Sequence, residues 1–292
     1  MLVCRDPDDR PLAILRLAHR EFESTHFGIP MAKIEAPAAV ADETHRLPAL
    51  RALYRAASAA LREAGYRHVS AVSSTQDRVA CWVLQELGYF QVGTRITWMA
   101  PLTGEPQEID LPGHLRIEMH DGATIPTLTR DSWRRLDEWS GTAFNRGPFV
   151  FDLTVPGERA ATIYQVWTRK AMTGEWADVL LVVRDGDEIV AFNAMMLVPD
   201  LSEAAGVGIL GRGIGASLPG YRGAFTALQK TCAAVRPLDA GFLENETQVA
   251  TVPTIKVFGT LGHECLHSVA SFHARLDGDA AGLRSGRVRD DV

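Results

Sequence analysis

The stretch DVLLVVR at residues 178–184, followed by DGDE at 185–188 and IVAFNAMMLV at 189–198, decides the fold of this chain. Two apolar runs of strand length flank a short polar segment, and its Asp-Gly pair supplies the positive φ that a tight hairpin needs. The sequence therefore predicts an antiparallel hairpin here. Residues 206–217 predict a third strand directly after it.

Helix and strand patterns alternate on both sides of this hairpin. Residues 12–17, 68–72, 91–99, 115–119, 242–248 and 266–276 are predicted strands. Residues 48–64, 78–87, 125–139, 158–172, 224–235 and 253–261 are predicted helices. The pattern predicts an α/β protein.

Proline and glycine break the periodicity between Pro101 and Pro112, so we predict a linker at 103–113. It separates a first domain at 1–102 from a second at 114–277. Residues 278–292 mix glycine, arginine and aspartate without periodicity and predict a flexible tail.

The two halves show an internal repeat. Shifting the chain by 174 residues aligns Gly88 with Gly262, and residues 59–102 with 233–276, without a gap. Eight of the 44 aligned positions are identical, and the order helix, strand, helix, glycine, strand recurs with equal spacing. We interpret this as a duplication.

Composition excludes several classes of protein. The 292 residues carry a formal charge of −6, which argues against nucleic acid as a partner. The chain has no apolar run long enough for a membrane span, and its acidic start does not resemble a signal peptide, so we expect a cytoplasmic protein. The four cysteines lie far apart, so neither a disulfide framework nor a structural zinc site is expected.

Several short motifs follow one another in a recognisable order. They are Phe22-x4-Phe27-Gly, Phe151-Asp-Leu-Thr-Val-Pro156, Tyr164-x2-Trp167, Asp185-Gly, Ser217-x-Pro219-x-Tyr221-Arg222-Gly223, Thr247-Gln248, Phe258-x2-Leu261-Gly262 and Phe272-His273. With this order, residues 115–276 resemble a complete domain of the GNAT N-acyltransferase superfamily. The whole chain is similar to the TDP-fucosamine N-acetyltransferase group, in which a truncated GNAT-like half precedes the complete one.

The resemblance implies a fold and a co-substrate. The implied fold is a mixed, mostly antiparallel central sheet flanked by helices, with acetyl-CoA or another acyl-CoA bound at a strand-to-helix loop. Backbone N–H groups at such a helix start meet the pyrophosphate. Phe225 stands where the family pattern has its central glycine. The implied cofactor-binding residues are Ala216, Ser217, Arg222, Gly223, Ala224, Phe225, Thr226 and Ala227.

Acyl transfer to an amine needs a base, an oxyanion contact and a proton for the thiolate. The resemblance assigns the oxyanion contact to the backbone near Ala216 and Ser217. It also shows Phe258 in place of a proton-donating tyrosine, and Thr251 in place of an asparagine. Glu244 and Glu246 lie two apart on one predicted strand, hence on one face, and either could act as base. The catalytic candidates are therefore Glu244, Glu246 and Thr251.

Other patterns in the second half leave alternatives open. His263, His267 and His273 are further titratable candidates, but their spacing does not indicate a metal site, and none is expected. The glycines at 206, 208 and 211 match a dinucleotide-binding pattern, yet no helical pattern follows them. They either keep a strand open for a pantetheine chain or mark a bulge.

We therefore expect an N-acyltransferase that moves an acetyl or other short acyl group to a primary amine of a small molecule. The resemblance favours an amino sugar carried on a nucleotide. An acyl-carrier-protein or aminoacyl-tRNA donor is one alternative. A catalytically silent GNAT-like binding module is another. The sequence leaves a homodimer open.

Overall fold

The computed structural model describes residues 1–39, 43–121, 128–221 and 223–277 of the chain. The helices in these residues are α1 (Glu21–Phe27), α2 (Glu43–Glu63), α3 (Arg78–Glu86), α4 (Arg130–Ala143), α5 (Gly157–Met172), α6 (Pro199–Ala205), α7 (Ala224–Val235) and α8 (Val252–Thr260). The strands are β1 (Leu2–Arg5), β2 (Pro11–Leu15), β3 (Leu17–His19), β4 (Met31–Ile34), β5 (Ala38–Ala39), β6 (His68–Ser74), β7 (Phe90–Pro101), β8 (Leu115–Asp121), β9 (Val179–Asp185), β10 (Glu188–Leu197), β11 (Ile209–Ser217), β12 (Phe242–Gln248) and β13 (Glu264–Arg275).

The chain divides into two compact units, and each unit consists of more than one segment of the sequence. The first contains Met1–Arg95, Pro148–Arg159 and Ser268–Val292, and the second contains Ile96–Gly147 and Ala160–His267. The long strands β7 and β13 each contribute residues to both units. The predicted linker at 103–113 stays a prediction, although no helix or strand forms between Leu102 and Pro112.

The first unit holds a mixed sheet with strand order β3-β4-β6-β13, and a small antiparallel sheet β1-β2-β5. β6 pairs in parallel with β4 and antiparallel with β13. The apolar faces of α2 and α3 pack on these sheets, because Tyr54, Leu50 and Val83 are fully buried together with Phe272 of β13. Burial of such side chains is the main force that holds this unit together.

The second unit holds the strand order β8-β9-β10-β11-β12. Every pairing among these strands is antiparallel except that of β11 with β12. The hairpin β9–β10 forms as predicted, with Gly186 at φ +58° in its turn. Both of its strands are nearly all buried, because α7 covers one face through Leu228 and α4 covers the other through Leu136. The fold is therefore mixed α/β with mostly antiparallel strands flanked by helices.

The internal repeat recurs in the element bounds. Adding 174 to β6, α3 and β7 gives the bounds of β12, α8 and β13 residue for residue. Helix α7 occupies the place that the end of α2 occupies in the first copy. Three elements of identical length and spacing support the duplication that the sequence predicts.

The structure also corrects several predicted elements. The sequence analysis missed α1 and β4, which are too short to show a period. Helix α2 begins at Glu43, before Pro48, so this proline lies inside the helix near its start rather than at its first position. Residues 206–208 are not strand, since Gly206 ends helix α6 in the left-handed conformation. The predicted start of α4 at Ile125, and the tail 278–292, lie outside the described residues.

Within the described parts of the chain, none of the helices combines the length and the apolar character that crossing a membrane requires.

Candidate active site

A bulge bends β11 halfway along its length. Ala194 of β10 pairs with Ile214, and Met196 pairs with Gly211, so two residues of β11 face one residue of β10. Those two residues are Arg212, with a φ of +49°, and Gly213. A Cβ atom on Gly213 would lie 1.8 Å from the carbonyl oxygen of Ala194, so only glycine fits. Such a bulge turns a strand away from its former course.

β11 and β12 pair only where they begin. Their parallel register covers Ile209↔Phe242 and Leu210↔Leu243, just before the bulge. Both strands continue, to Ser217 and Gln248, while β11 keeps its pairing with β10 on its other side. The two strands therefore open from each other beyond Leu210. An extended ligand can use the backbone edge of such a strand for hydrogen bonds.

An aromatic side chain lies against β11 in the part that is not paired with β12. Phe225, in the first turn of α7, places its ring so close to Gly215 of β11 that a Cβ there would lie 2.8 Å from Cε2 of the ring. The ring centroid also lies 6.2 Å from that of Phe258 in α8. Phe225 thus spans from β11 to the helix that follows β12.

Helix α7 begins at the end of the loop that follows β11. Gly223 caps it with a φ of +84° and no side-chain hydrogen bond. The N–H of Ala224 donates to the carbonyl of Tyr221 at 3.3 Å. The N–H groups of Phe225 and Thr226, also in the first turn, lie where a helix concentrates positive partial charge. The N–H of Ala227 donates to the carbonyl of Gly223 at 2.8 Å, so the intrahelical ladder starts there. The side chain of Arg222, a predicted phosphate contact, lies outside the described residues.

Of the two predicted carboxylates, Glu244 is half-buried and Glu246 is exposed. The side chain of Glu244 lies over Gly211, since a Cβ on that glycine would be 2.6 Å from Oε2. Burial raises the pKa of Glu244, the charge of Glu246 raises it further, and Arg212 partly offsets both. A carboxyl group with a raised pKa is better suited to accept a proton near neutral pH than an ordinary surface carboxylate.

Thr251 occupies the N-cap position of α8, but its side chain makes no capping hydrogen bond. Phe258 is almost fully buried, and its ring stacks on His263 with centroids 5.1 Å apart. Burial lowers the pKa of His263 to about 4, so this imidazole is neutral at neutral pH. Ala216 and Ser217 pair with Phe192 and Ala191, which fixes the direction of their backbone groups.

The three histidines that the sequence analysis grouped have different environments. His263 and His267 belong to the second unit, where Nε2 of His267 lies 3.3 Å from Oγ1 of Thr97. His273 belongs to the first unit and hydrogen-bonds there to Asp152. Strand β13 passes from the second unit to the first after His267, so His273 lies in a different unit from the other two histidines.

The glycine pattern at 206, 208 and 211 does not open a helix. Gly206 ends α6, and the next residues lead into β11. A dinucleotide-binding loop requires a helix that begins directly after its glycines, and no helix begins here. The segment is therefore not a dinucleotide-binding loop. A bulge does follow Gly211 directly, at Arg212 and Gly213. That the strand is kept open for a pantetheine chain stays a prediction.

Comparison with known proteins identifies the fold. No model of a protein family matches the sequence, and no curated protein matches it either. Among solved structures, the chain is similar to a GCN5-related N-acetyltransferase from Sphaerobacter thermophilus, with 15% identity and a TM-score of 0.58 over 94% of this chain and 80% of that one. It is also similar to a tandem GNAT protein from the clavulanic acid biosynthesis pathway, with 12% identity and a TM-score of 0.54 over 95% of this chain and 82% of that one. The chain has the fold of the GNAT N-acetyltransferases.

Proposed function

We propose that this protein is an acyl-CoA-dependent N-acyltransferase that acts on a primary amine of a small molecule. The observation that carries the proposal is the opening between β11 and β12 beyond the bulge at Arg212 and Gly213. A pantetheine chain is extended and carries amide groups, so it suits hydrogen bonding along the backbone of residues 214–217. Helix α7 starts after the loop that follows β11, and the N–H groups of Phe225 and Thr226 in its first turn suit a pyrophosphate.

In the proposed reaction, the amine nitrogen attacks the thioester carbonyl carbon directly, in a ternary complex. A C–N bond forms and the C–S bond breaks. Glu244 accepts the proton that the amine loses, directly or through one water. Backbone N–H groups near Ala216 and Ser217 stabilise the oxyanion, and the departing sulfur takes up one proton to give the CoA thiol. Thr251 would contribute a hydroxyl donor beside this path.

Our leading acceptor class is an amino sugar carried on a nucleotide, and it rests on the resemblance to the TDP-fucosamine N-acetyltransferase group. Fold similarity alone does not fix an acceptor. The acceptor is therefore to be found by screening, once binding of the donor is established.

The first experiment is calorimetric titration of the purified protein with acetyl-CoA, and separately with dephospho-CoA and with pantetheine. We expect micromolar binding of acetyl-CoA that is strongly weakened in pantetheine, which lacks the pyrophosphate. Amines, with nucleotide-linked amino sugars first, are then screened for release of the CoA thiol. Absence of acetyl-CoA binding would contradict the proposal and favour a carrier-protein or tRNA donor.

Phe225 favours a second candidate function, a GNAT-like module without turnover, because its ring lies against the backbone that pantetheine would follow. Under the enzyme proposal the ring has to move when the donor binds. We therefore expect Phe225→Ala to tighten acetyl-CoA binding about tenfold, which corresponds to roughly 1.4 kcal/mol. Titration of both proteins with acetyl-CoA measures the difference.

The matched control is Val235→Ala, an exposed substitution at the other end of the same helix, which leaves the ring in place. Unchanged or weaker binding in Phe225→Ala alone would show that the ring does not compete with the donor. Tighter binding without any transfer to an amine would favour the module over the enzyme.

A further inference from the structure

Three buried polar side chains from distant parts of the sequence meet in the first unit. His68 begins β6, Asp152 lies in the turn before α5, and His273 lies near the end of β13. Their side chains are 0%, 0% and 3% exposed. One ligand-type atom from each lies within 4.8 Å of those of the other two. We call these three residues the His-Asp-His cluster.

One carboxylate oxygen is shared by both imidazoles. Oδ2 of Asp152 lies 2.7 Å from Nε2 of His68 and 2.5 Å from Nδ1 of His273. The other oxygen, Oδ1, accepts the backbone N–H of Thr154 at 2.8 Å and the Thr154 hydroxyl at 2.6 Å. In known metal sites, hydrogen bonds from neighbouring residues to a ligating carboxylate fix the orientation of that carboxylate. They hold Oδ2 toward the two ring nitrogens.

Packing alone does not explain the cluster. Nδ1 of His68 is buried and has no hydrogen-bond partner among the described residues. Apolar side chains of similar volume often replace a buried ionic network without loss of stability. Two imidazoles and a carboxylate in a dry interior therefore indicate a role other than stability.

We propose that the His-Asp-His cluster binds one divalent first-row transition-metal ion such as zinc. The ligand atoms would be Nε2 of His68, Nδ1 of His273 and Oδ2 of Asp152. Two imidazole nitrogens and one carboxylate oxygen suit zinc and its neighbours rather than calcium or magnesium, which take oxygen ligands. The three side chains would fill three of the four positions of a tetrahedral ion.

The geometry needs only a small adjustment to admit the ion. Zinc bonds of about 2.0–2.2 Å separate tetrahedral ligands by roughly 3.3 Å, so the two N···O distances open by less than about 1 Å. Each imidazole stays neutral and carries its proton on the other ring nitrogen. For His68 that nitrogen is Nδ1, which is buried without an acceptor among the described residues, so an ordered water would have to accept its N–H.

The surroundings of the cluster are largely aromatic, and the nearby cations Arg20 and Arg275 each form an ion pair with a carboxylate. The ring of Phe149 lies 5.2 Å from that of His273, and the ring of Phe90 lies 6.4 Å from it. Of the two cations, Arg20 acts on His273, and its ion-pair partner is the buried Glu23. An apolar shell of this kind strengthens metal–ligand interactions by excluding water.

The test uses the full chain and needs no enzymatic activity. The protein is loaded with zinc chloride, desalted and analysed for metal by mass spectrometry, and its zinc affinity is measured against a chromogenic chelator. We expect one zinc per chain, and with cobalt(II) the visible spectrum of a tetrahedral site without thiolate ligands. His68→Gln and Asp152→Asn should lose this zinc, while Thr154→Val should bind it about tenfold more weakly.

Cys265→Ala is the matched control, because it removes the exposed cysteine thiol and leaves the cluster intact. It should keep one zinc. If wild-type protein holds no stoichiometric zinc, or if His68→Gln and Asp152→Asn keep it, the proposal is overturned. Should those two variants fail to fold, the cobalt spectrum and the Thr154→Val affinity decide, and an octahedral cobalt spectrum or an unchanged affinity counts against the cluster.

Discussion

Replacing Glu244 by glutamine is expected to lower the rate of acyl transfer by about 10²- to 10⁴-fold, the range typical for the loss of a general base. Glutamine keeps the size of the side chain over Gly211 but cannot accept the amine proton. Binding of acetyl-CoA should change little, because the donor contacts proposed above lie on β11 and α7. Steady-state kinetics and donor titration of the same preparation measure both quantities.

The pH dependence gives this prediction a second readout. The folded-state pKa of Glu244 is raised, first by burial and then by Glu246. The folded protein therefore binds more protons than the unfolded chain between the ordinary pKa and the raised one, and the free energy of unfolding falls as pH rises through that window. Glutamine does not titrate, so Glu244→Gln lacks this pH-dependent decrease in the free energy of unfolding. The variant should be at least as stable as the parent at neutral pH. In the parent, the rate of acyl transfer should increase with pH on the acidic side as Glu244 loses its proton, and in Glu244→Gln this increase should disappear.

Glu246→Gln is the matched control, since it changes an exposed carboxylate two residues further along the same strand face. It should keep most of the activity and shift the acidic limb to lower pH, because it removes one of the charges that raise the pKa of Glu244. A larger loss of rate in Glu246→Gln than in Glu244→Gln would reverse our assignment of the base. Loss of activity with loss of thermal stability in Glu244→Gln would indicate a structural role.

The largest expected effect on stability belongs to Gly213→Ala. The added Cβ would lie 1.8 Å from the carbonyl oxygen of Ala194 and 3.1 Å from Cα of Met195, and both are backbone atoms that cannot turn aside. To avoid this clash, the bulge in β11 and the paired strand β10 would have to move. We expect the free energy of unfolding to fall by about 3 kcal/mol, within the range of severe single substitutions.

Thermal and denaturant unfolding measure this change. For a chain of this size, about 3 kcal/mol corresponds to a decrease in Tm of roughly 6–12 °C. Gly259→Ala is the control, because it lies within α8 and nothing approaches an added Cβ within 4 Å. That variant should be neutral or stabilised by about 0.4–1 kcal/mol. Equal Tm values for the two variants would contradict the close contact at Gly213.

The regular parts of the fold could be predicted because their signals are local. The bounds predicted for α7 and β12 agree with the structure residue for residue, since Gly223 and Gly241 border two clear periodic patterns. The hairpin β9–β10 follows from the Asp-Gly turn between two apolar runs. In contrast, α1 has only seven residues and offers too few turns to show a period.

The candidate site could be predicted only in part. Its glycines indicated an open strand or a bulge, but the direction of the Phe225 ring depends on Gly215, a residue in another element that leaves room for it. The His-Asp-His cluster joins positions 84 and 121 residues apart, and pairings that distant leave no local pattern. Predicting either feature requires the packed structure.

The division of β7 and β13 between the two units limits how this chain can be separated into pieces. A protease cut between 103 and 113 would leave an amino-terminal fragment without residues 268–275, whose hydrogen bonds complete the β6 edge. The other fragment would lack residues 96–101 of its own unit. Exposed strand edges of this kind promote aggregation. The two fragments are thus interdependent, and they are best produced together so that each supplies the strand the other lacks.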